Sequence, residues 1–301
     1  MSQESSVTVR FYPPPEELRR FVTTFYVTSI EVAGGGFITD ALQPEWANLR
    51  FFSGNRPDSW IEAGDHLSGA SFVATGPSTR SANFRLGTSR FWGIGLLPLG
   101  WAQFIRLPAA DHANLITNGL EHPSFSSFVP LANALFGNEP DEAAELDRLI
   151  AFLCGKLANP PASAERIVAI HSALVDPQMV TVAELVERVG LGQRTVERLC
   201  HQVFGFPPKL LLRRQRFMRS LAQFMLDPSL KWIGAIDTNY YDQAQFVRDF
   251  HAFMAMTPRE YAARPHPVLE KFMQSRLQIV GAPVQTMDRP EGVAATGAAR
   301  I

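Results

Sequence analysis

The chain has 301 residues, of which 46% are hydrophobic, and a formal net charge of −1. That is ordinary globular material with room for about two domains, and no apolar run approaches the roughly 18 residues of a membrane span. Charge is uneven: residues 1 to 160 carry 11 Lys and Arg against 16 Asp and Glu, and residues 161 to 301 carry 17 against 13, so a nucleic-acid partner is to be sought in the second half.

Residues 1 to 9 are polar and read as loose, with neither the basic start nor the apolar centre of an export signal; the chain is expected in the cytoplasm with no membrane partner. After Pro13-Pro14-Pro15, the spacing of Leu18, Phe21, Val22 and Phe25 by three and four predicts a helix. From about Phe37 to Arg106 the pattern changes to short runs broken by Gly, Pro, Asn and Asp: FITDAL, ANLRFFSG, ASFVATGP, SANFRLG and RFWGIGLLPLG. These predict strands of a mostly antiparallel sheet or small barrel, with Trp101 to Leu107 turning helical on leaving it. Phe51, Phe52, Trp60, Phe72, Trp92 and Trp101 are candidates to line a pocket, with Arg50 or Arg85 as polar anchors. Two apolar stripes come next, from Phe125 to Phe136 and from Leu146 to Leu153, each suited to core packing or to a dimer contact. Ala158-Asn159-Pro160-Pro161 predicts a linker, because paired prolines cannot continue a helix. A helix from Ala164 to Val175 is expected to abut the helical region that begins at Met179.

Between Met179 and Pro265 one unit is used twice. An offset of 50 places Arg198 over Arg248, His201 over His251 and Pro208 over Pro258, with Val196 and Phe246 in one apolar slot. Each unit reads as a short helix (Val182 to Val189; roughly Leu230 to Thr238), a tight turn (Gly190-Leu191-Gly192; Asn239-Tyr240-Tyr241) and a longer helix (Gln193 to Phe204; Asp242 to Met254). Gly190 and Asn239 suit a backbone with positive φ. Thr257-Pro258-Arg259-Glu260 predicts a capping box with Pro at the first helical position. Between the units Leu210, Phe217, Leu221 and Phe224 predict a helix from Leu210 to Leu226 with one apolar face against both. Its Arg213, Arg214, Arg216 and Arg219 are candidates for phosphate contacts or for a solvated face. Beyond Gln278 the Ala-, Gly- and Pro-rich tail is expected to be disordered.

No catalytic constellation accompanies these elements. There is no nucleophile elbow, no phosphate-binding glycine loop and no Cys-x-x-Cys, while His66, His112 and His122 are scattered. Cys154 and Cys200 give no disulfide framework and are expected as buried or half-buried thiols. No cofactor, metal or enzymatic activity is expected.

The repeated stretch, with its R-x-V-x-R and D-Q-A-x-F-x-R-x-F cores and T-P-R-E-Y end, resembles the DNA-binding module of the AraC/XylS family of transcription regulators. The first part resembles, more loosely, the sensor-like domain that precedes some such modules, through P-P-P-x-x-L, G-P-S-T-R and G-I-G-L-L-P-L-G. The resemblance implies an α+β chain: a cupin-like, barrel-like N-terminal domain with flanking helices (1–157), a linker (158–163), an all-α domain of two helix-turn-helix units joined by a long helix (164–275) and a tail (276–301). It also implies roles. Arg194, Glu197 and Arg198 match base-facing positions of the first recognition helix, with Gln193 and Thr195 on phosphates or adjacent bases; Gln243, Gln245 and Arg248 match groove-facing positions of the second. The implied partners are double-stranded promoter or operator DNA, a small-molecule effector, RNA polymerase and a second copy in a homodimer. The chain departs from the family at Val186, Gly192, Cys200, Gly234, Asp237 and Asn239. Two other readings stay open: an enzyme or ligand-binding barrel with a DNA-targeting module, and a DNA-binding protein whose first domain is structural and needs no effector.

Overall fold

Runs of β-branched and aromatic residues between Ser6 and Asn118 pair into two antiparallel sheets in the computed structural model, which describes residues 5–62 and 66–290. The strands are β1 (Ser6–Tyr12), β2 (Val22–Glu31), β3 (Ile38–Leu42), β4 (Ala47–Gly54), β5 (Asp58–Ile61), β6 (Leu67–Ser68), β7 (Phe72–Thr75), β8 (Ala82–Leu86), β9 (Ser89–Leu96) and β10 (Ile116–Asn118). One sheet has the order β1-β2-β9-β4-β7-β10 and the other β3-β8-β5-β6. They do not close into the barrel expected from the sequence. The strands of the smaller sheet run only two to five residues, too short to carry the ladder round to the edges of the larger one.

The larger sheet is buried on both faces, and the two-residue period sorts its side chains. Leu49 and Phe51 on β4, Phe25 and Val27 on β2, and Trp92 and Ile94 on β9 pack with the helices behind. Phe52, Tyr26 and Phe91 face the smaller sheet. The helix expected over Leu18 to Phe25 is therefore corrected. Only a 3-10 turn at Glu16–Leu18 forms, and the β-branched run from Val22 joins β2, because burial on both faces imitates helical spacing. The opening residues are likewise not loose from Ser6 onward, where β1 pairs along β2.

Chain direction then turns through α1 (Pro98–Gly100) into a π-turn at Trp101–Ile105. Helices α2 (Val129–Ala134) and α3 (Glu142–Cys154) cover the back of the large sheet. Both apolar stripes go to this core: Phe125, Phe128, Leu131, Leu135, Leu149 and Leu153 are buried. A buried Glu145 carboxylate accepts from Trp92 Nε1 (2.6 Å) and Arg90 Nη2 (2.5 Å), which pins α3 to the sheet.

The remainder is helical: α4 (Ala164–Val175), α5 (Val182–Val189), α6 (Gln193–Leu199) continuing as a π-turn to Phe204, α7 (Pro208–Leu226), α8 (Lys231–Ala235), α9 (Gln243–Met254), α10 (Pro258–Ala262) and α11 (Leu269–Val280). Trp46, Leu97 and Leu99 from the sheet region share one core with α4, α5, α6 and the start of α7. The chain past Gln278 is not a loose tail up to Pro290. Val280 closes α11, and Gln285 donates to the carbonyls of Ala47 (2.9 Å) and Leu96 (3.2 Å) while accepting from Trp46 N (2.9 Å). Gly281 turns the backbone and lets three polar bonds staple the segment to the start of β4 and the end of β9, which composition does not reveal. Residues 291–301, also assigned to the tail, lie outside the described residues.

Candidate nucleic-acid interface and inter-sheet cavity

The first unit starts with a capping box. Thr181 Oγ1 accepts from Glu184 N (3.2 Å), and the Glu184 carboxylate accepts from Thr181 N (3.0 Å); these backbone bonds hold Glu184 below the usual carboxylate range. Gly190 ends α5 with φ 63° in open space, a conformation that strains a side chain. Gly192 then opens α6 with no side-chain cap. On α6 Val196, Leu199 and Cys200 are buried, so Gln193, Arg194 and Arg198 are left on the solvent face, with Thr195 and Glu197 half-buried. Gln193 Nε2 donates to Glu197 Oε1 (2.9 Å), and Arg198 Nη1 donates to Gln202 Oε1 (2.7 Å). Burial, helped by Glu197, pushes the Cys200 thiol up to about 12, so it stays protonated and inert as a nucleophile.

In the second unit the first helix is shorter than its sequence predicts. It stops at Ala235, because Ile236 is extended and Asp237 turns to α7: its N–H donates to Ser220 Oγ (2.8 Å) and its carboxylate accepts from Arg219 Nε. Asn239 does not take the positive φ expected of it; the left-handed residues here are Lys231 and Ala255. Asp242 caps α9 by accepting from Gln245 N (2.6 Å). Gln243, Ala244, Val247, Arg248 and His251 form the exposed face of α9, against Phe246, Asp249, Phe250 and Phe253 on its buried face. Gln245 is half-buried, with its Oε1 accepting from Tyr241 N (3.1 Å). Of the three residues expected to face the groove here, Gln243 and Arg248 are exposed and Gln245 is turned back on its own turn.

Helix α7 joins the units as its apolar spacing predicts. Leu211 and Leu212 enter the first core, Phe217, Leu221 and Phe224 enter the second, and Leu210 touches both. Its arginines are mostly not available to phosphates. Arg213 pairs with Asp249 (2.6 Å), Arg216 with Asp249 (3.3 Å) and Arg219 with Asp237. Arg214 is fully buried: Nη1 donates to the carbonyls of Ser78 (2.9 Å) and Glu45 (3.4 Å), and its guanidinium lies 3.9 Å from the Trp46 ring centre. Burial without a carboxylate pulls it down to about 9.

Two accessible residues at the units escaped the sequence reading. Lys209, exposed at the start of α7, borders a cleft of about 300 Å³ between the units, across which Asn239 Nδ2 donates to Pro177 O (3.0 Å). Tyr241, 94% exposed, stands just ahead of α9. A lysine directly after the helix-opening Pro208 and an aromatic in a polar turn were the available signals.

Two neighbouring lobes lie against the larger sheet, one of about 70 Å³ under α11 and the segment after it, the other of about 40 Å³ between the two sheets. Leu42, Arg50 and Phe272 line both lobes. Phe272 comes from α11, whose first N–H groups, at Val268 and Leu269, donate to the Asp40 carboxylate of β3 (2.8 and 2.9 Å). Of the aromatic candidates only Phe52 faces this cavity. Phe51, Phe72, Trp92 and Trp101 point the other way, and Trp60 stacks on His66 at 4.6 Å. Arg85 is exposed, and Arg50 is the cavity's anchor: it donates to Glu45 (2.7 and 2.9 Å) and Thr75 Oγ1 (3.1 Å). Although burial opposes its charge, Glu45 and Tyr26 hold Arg50 above its ordinary value. Among the described residues no three His, Cys, Asp or Glu gather as a metal ion would require, although His112 and His122 pack with ring centres 5.4 Å apart.

Residues 185–264 match the family model described as a helix-turn-helix domain, from within α5 to just past α10. This is the stretch that carries the AraC-type resemblance. No curated protein matches the chain. Among solved structures it is similar to ToxT from Vibrio cholerae, at 11% identity and a TM-score of 0.41 over 86% of this chain and 98% of that one. Wild-type ToxT with a bound unsaturated fatty acid aligns over 86% and 95%, at 9% identity and a TM-score of 0.41. The AraC-like transcriptional activator CuxR aligns over 72% and 87%, at 13% identity and a TM-score of 0.25. No helix among the described residues is long and apolar enough to cross a membrane.

Proposed function

We propose that this helix-turn-helix chain is a sequence-specific transcription regulator of the AraC type, controlled by a small molecule held in its N-terminal sheet domain. The observation that carries the reading is the pair of solvent-facing helix stripes, Gln193, Arg194 and Arg198 on α6 and Gln243 and Arg248 on α9, fixed to one helix whose other faces are buried. Two such helices on one rigid support suit successive major grooves, roughly 34 Å apart. Arg194, Glu197 and Arg198 then read base edges with Gln193 and Thr195 beside them, and Gln243 and Arg248 do so in the second unit. Arg pairs with guanine O6 and N7, Gln with adenine N6 and N7. Gln245 joins them on leaving Tyr241 N. The chain works in the cytoplasm, with RNA polymerase and a second copy as partners, and division near 158–163 separates sensing from DNA binding.

The test is selection of genomic fragments by the purified chain, repeated with Arg198→Ala and Arg248→Ala at two salt concentrations. The wild type should enrich a two-part motif, each variant relaxing one part at a cost of about 1–3 kcal/mol. Sequence-blind binding that merely fades with salt would leave these arginines on phosphates and defeat the reading.

A further inference from the structure

The repeat sets the outer faces of α6 and α9 in register. At the 50-residue offset Gln193, Arg198 and His201 recur as Gln243, Arg248 and His251, and all six are exposed. Arg194, Glu197 and Gln202 instead become Ala244, Val247 and Ala252, which are exposed and apolar. Two bonds of the first unit go with them. Gln193 Nε2 donates to Glu197 Oε1 (2.9 Å) and Arg198 Nη1 to Gln202 Oε1 (2.7 Å), whereas Val247 and Ala252 offer Gln243 and Arg248 no side-chain acceptor.

The exchange does nothing for the fold of α9. Its core side carries Phe246, Phe250 and Phe253, and on the far side a β-branched valine is a poorer helix former than the glutamate of the first unit. A lone exposed valine is ordinary on a protein surface. Here Val247, which is 36% exposed, shares one stripe with Ala244 and Arg248, three and four residues apart, so methyl groups border the guanidinium on the side that faces outward.

We propose that the second unit reads thymine: Val247, with Ala244 beside it, packs on the 5-methyl groups of thymine next to the guanine that Arg248 contacts. The inference rests on reading α6 and α9 as recognition helices. The 5-methyl of thymine is the apolar group that base pairs present in the major groove, and a small apolar side chain is its complement. The two halves of the bound sequence therefore differ in kind. The first is read by hydrogen-bonding groups at the positions of Arg194 and Glu197, and the second by shape and methyl contact at the same positions.

The test begins with selection of random duplexes by the full chain, in which Arg248→Ala shows which half belongs to the second unit. Deoxyuridine then replaces thymine in one half at a time; it keeps the base pair and the O4 acceptor and lacks only the methyl. Wild type should bind about fourfold more weakly for each methyl removed from the second half, and change by less than about twofold for the first. Val247→Ser, checked for native circular dichroism, should bind the thymine and deoxyuridine duplexes equally, a coupling that a merely structural valine does not produce. A second half without thymine, no loss with deoxyuridine there, an equal loss in both halves, or the same loss in Val247→Ser would overturn the inference and leave the two-part regulator standing. Sequence-blind selection would instead defeat the regulator reading, and this inference with it.

Discussion

The two helix-turn-helix units share a plan and differ in what holds them. The first has an aliphatic core continuous with Trp46, Leu97 and Leu99 of the sheet region, and it leaves its charged side chains outside. The second has an aromatic core of its own, where Phe217, Trp232, Phe246 and Tyr261 gather round Phe250, and it turns its charges inward. At the 50-residue offset, exposed Arg194 and half-buried Glu197 correspond to exposed Ala244 and Val247, while Arg198 corresponds to Arg248. The first unit therefore offers more hydrogen-bonding groups to DNA, and the second spends more of its polar chemistry on staying attached to α7. Equal contact with bases is not built into the repeat.

The sharpest way to break this comparison is Asp249→Ala. Asp249 is buried, accepts from Arg213 and Arg216, and receives the Tyr240 hydroxyl at 3.1 Å. Its removal leaves Arg216 half-buried without an anion, and should cost about 3–5 kcal/mol in urea unfolding. The increase in amide exchange should fall on α8 and α9 rather than on α5 and α6. A loss under about 1 kcal/mol, or one shared evenly by both units, would show that aromatic packing alone holds the second unit.

A pH series sharpens the same contrast, since the two attachments to the sheet region hold histidines of opposite behaviour. His171 on α4 packs against Trp46 and Phe204; burial first, then Arg214, holds it down to about 3. Its neutral form belongs to the folded state, so its contribution is complete above the unfolded value near 6.5 and is lost as pH falls toward 3. By pH 5 the loss is about 2 kcal/mol. His266, before α11, is disfavoured as a cation by burial but raised on balance by Asp40 (3.3 Å) and the Tyr261 carbonyl (3.2 Å). Its contribution is complete below about 6.5 and is lost as pH rises through the folded value. Hydrogen exchange corrected for intrinsic rates should show α4 loosening at pH 5 and the start of α11 loosening at pH 8. Movement of both in one direction would remove either histidine as the cause.

Much of this was legible in the sequence, for reasons that differ by residue. The repeat, the capping residues and the exposed stripes follow from one helical period, which neighbours in sequence impose, and strands such as Ala47 to Gly54 follow from short runs between breakers. Burial of Arg214 was not legible, because its acceptors lie 169 and 136 residues away. Nor were α11 and the segment after it: Asp40 anchors the start of α11, while Trp46 and Leu96 hold Gln285 beyond its end, and all three lie far away in the sequence. The inter-sheet site was half legible. Arg50 and Phe52 stand out in the sequence, but their separation from Phe51 depends on which face of β4 meets which layer, and Phe272 comes from a helix far from both in the chain.

The smallest expected effect lies at the start of the two recognition helices. Asp242 caps α9, whereas Gly192 opens α6 with an extended backbone (φ −65°, ψ 146°) and no cap, and a Cβ added there meets nothing within 4 Å. Gly192→Ser should therefore be accommodated without strain and stabilise the chain by a few tenths of a kcal/mol, because glycine is already a tolerable N-cap. The first unit draws its stability from the core shared with the sheets, so such a change should barely move the urea midpoint and leave the enriched DNA motif unaltered. A gain above about 1 kcal/mol would mean that the start of α6 frays in the native protein. The contrast between the units would then lie in their local order as much as in their charge.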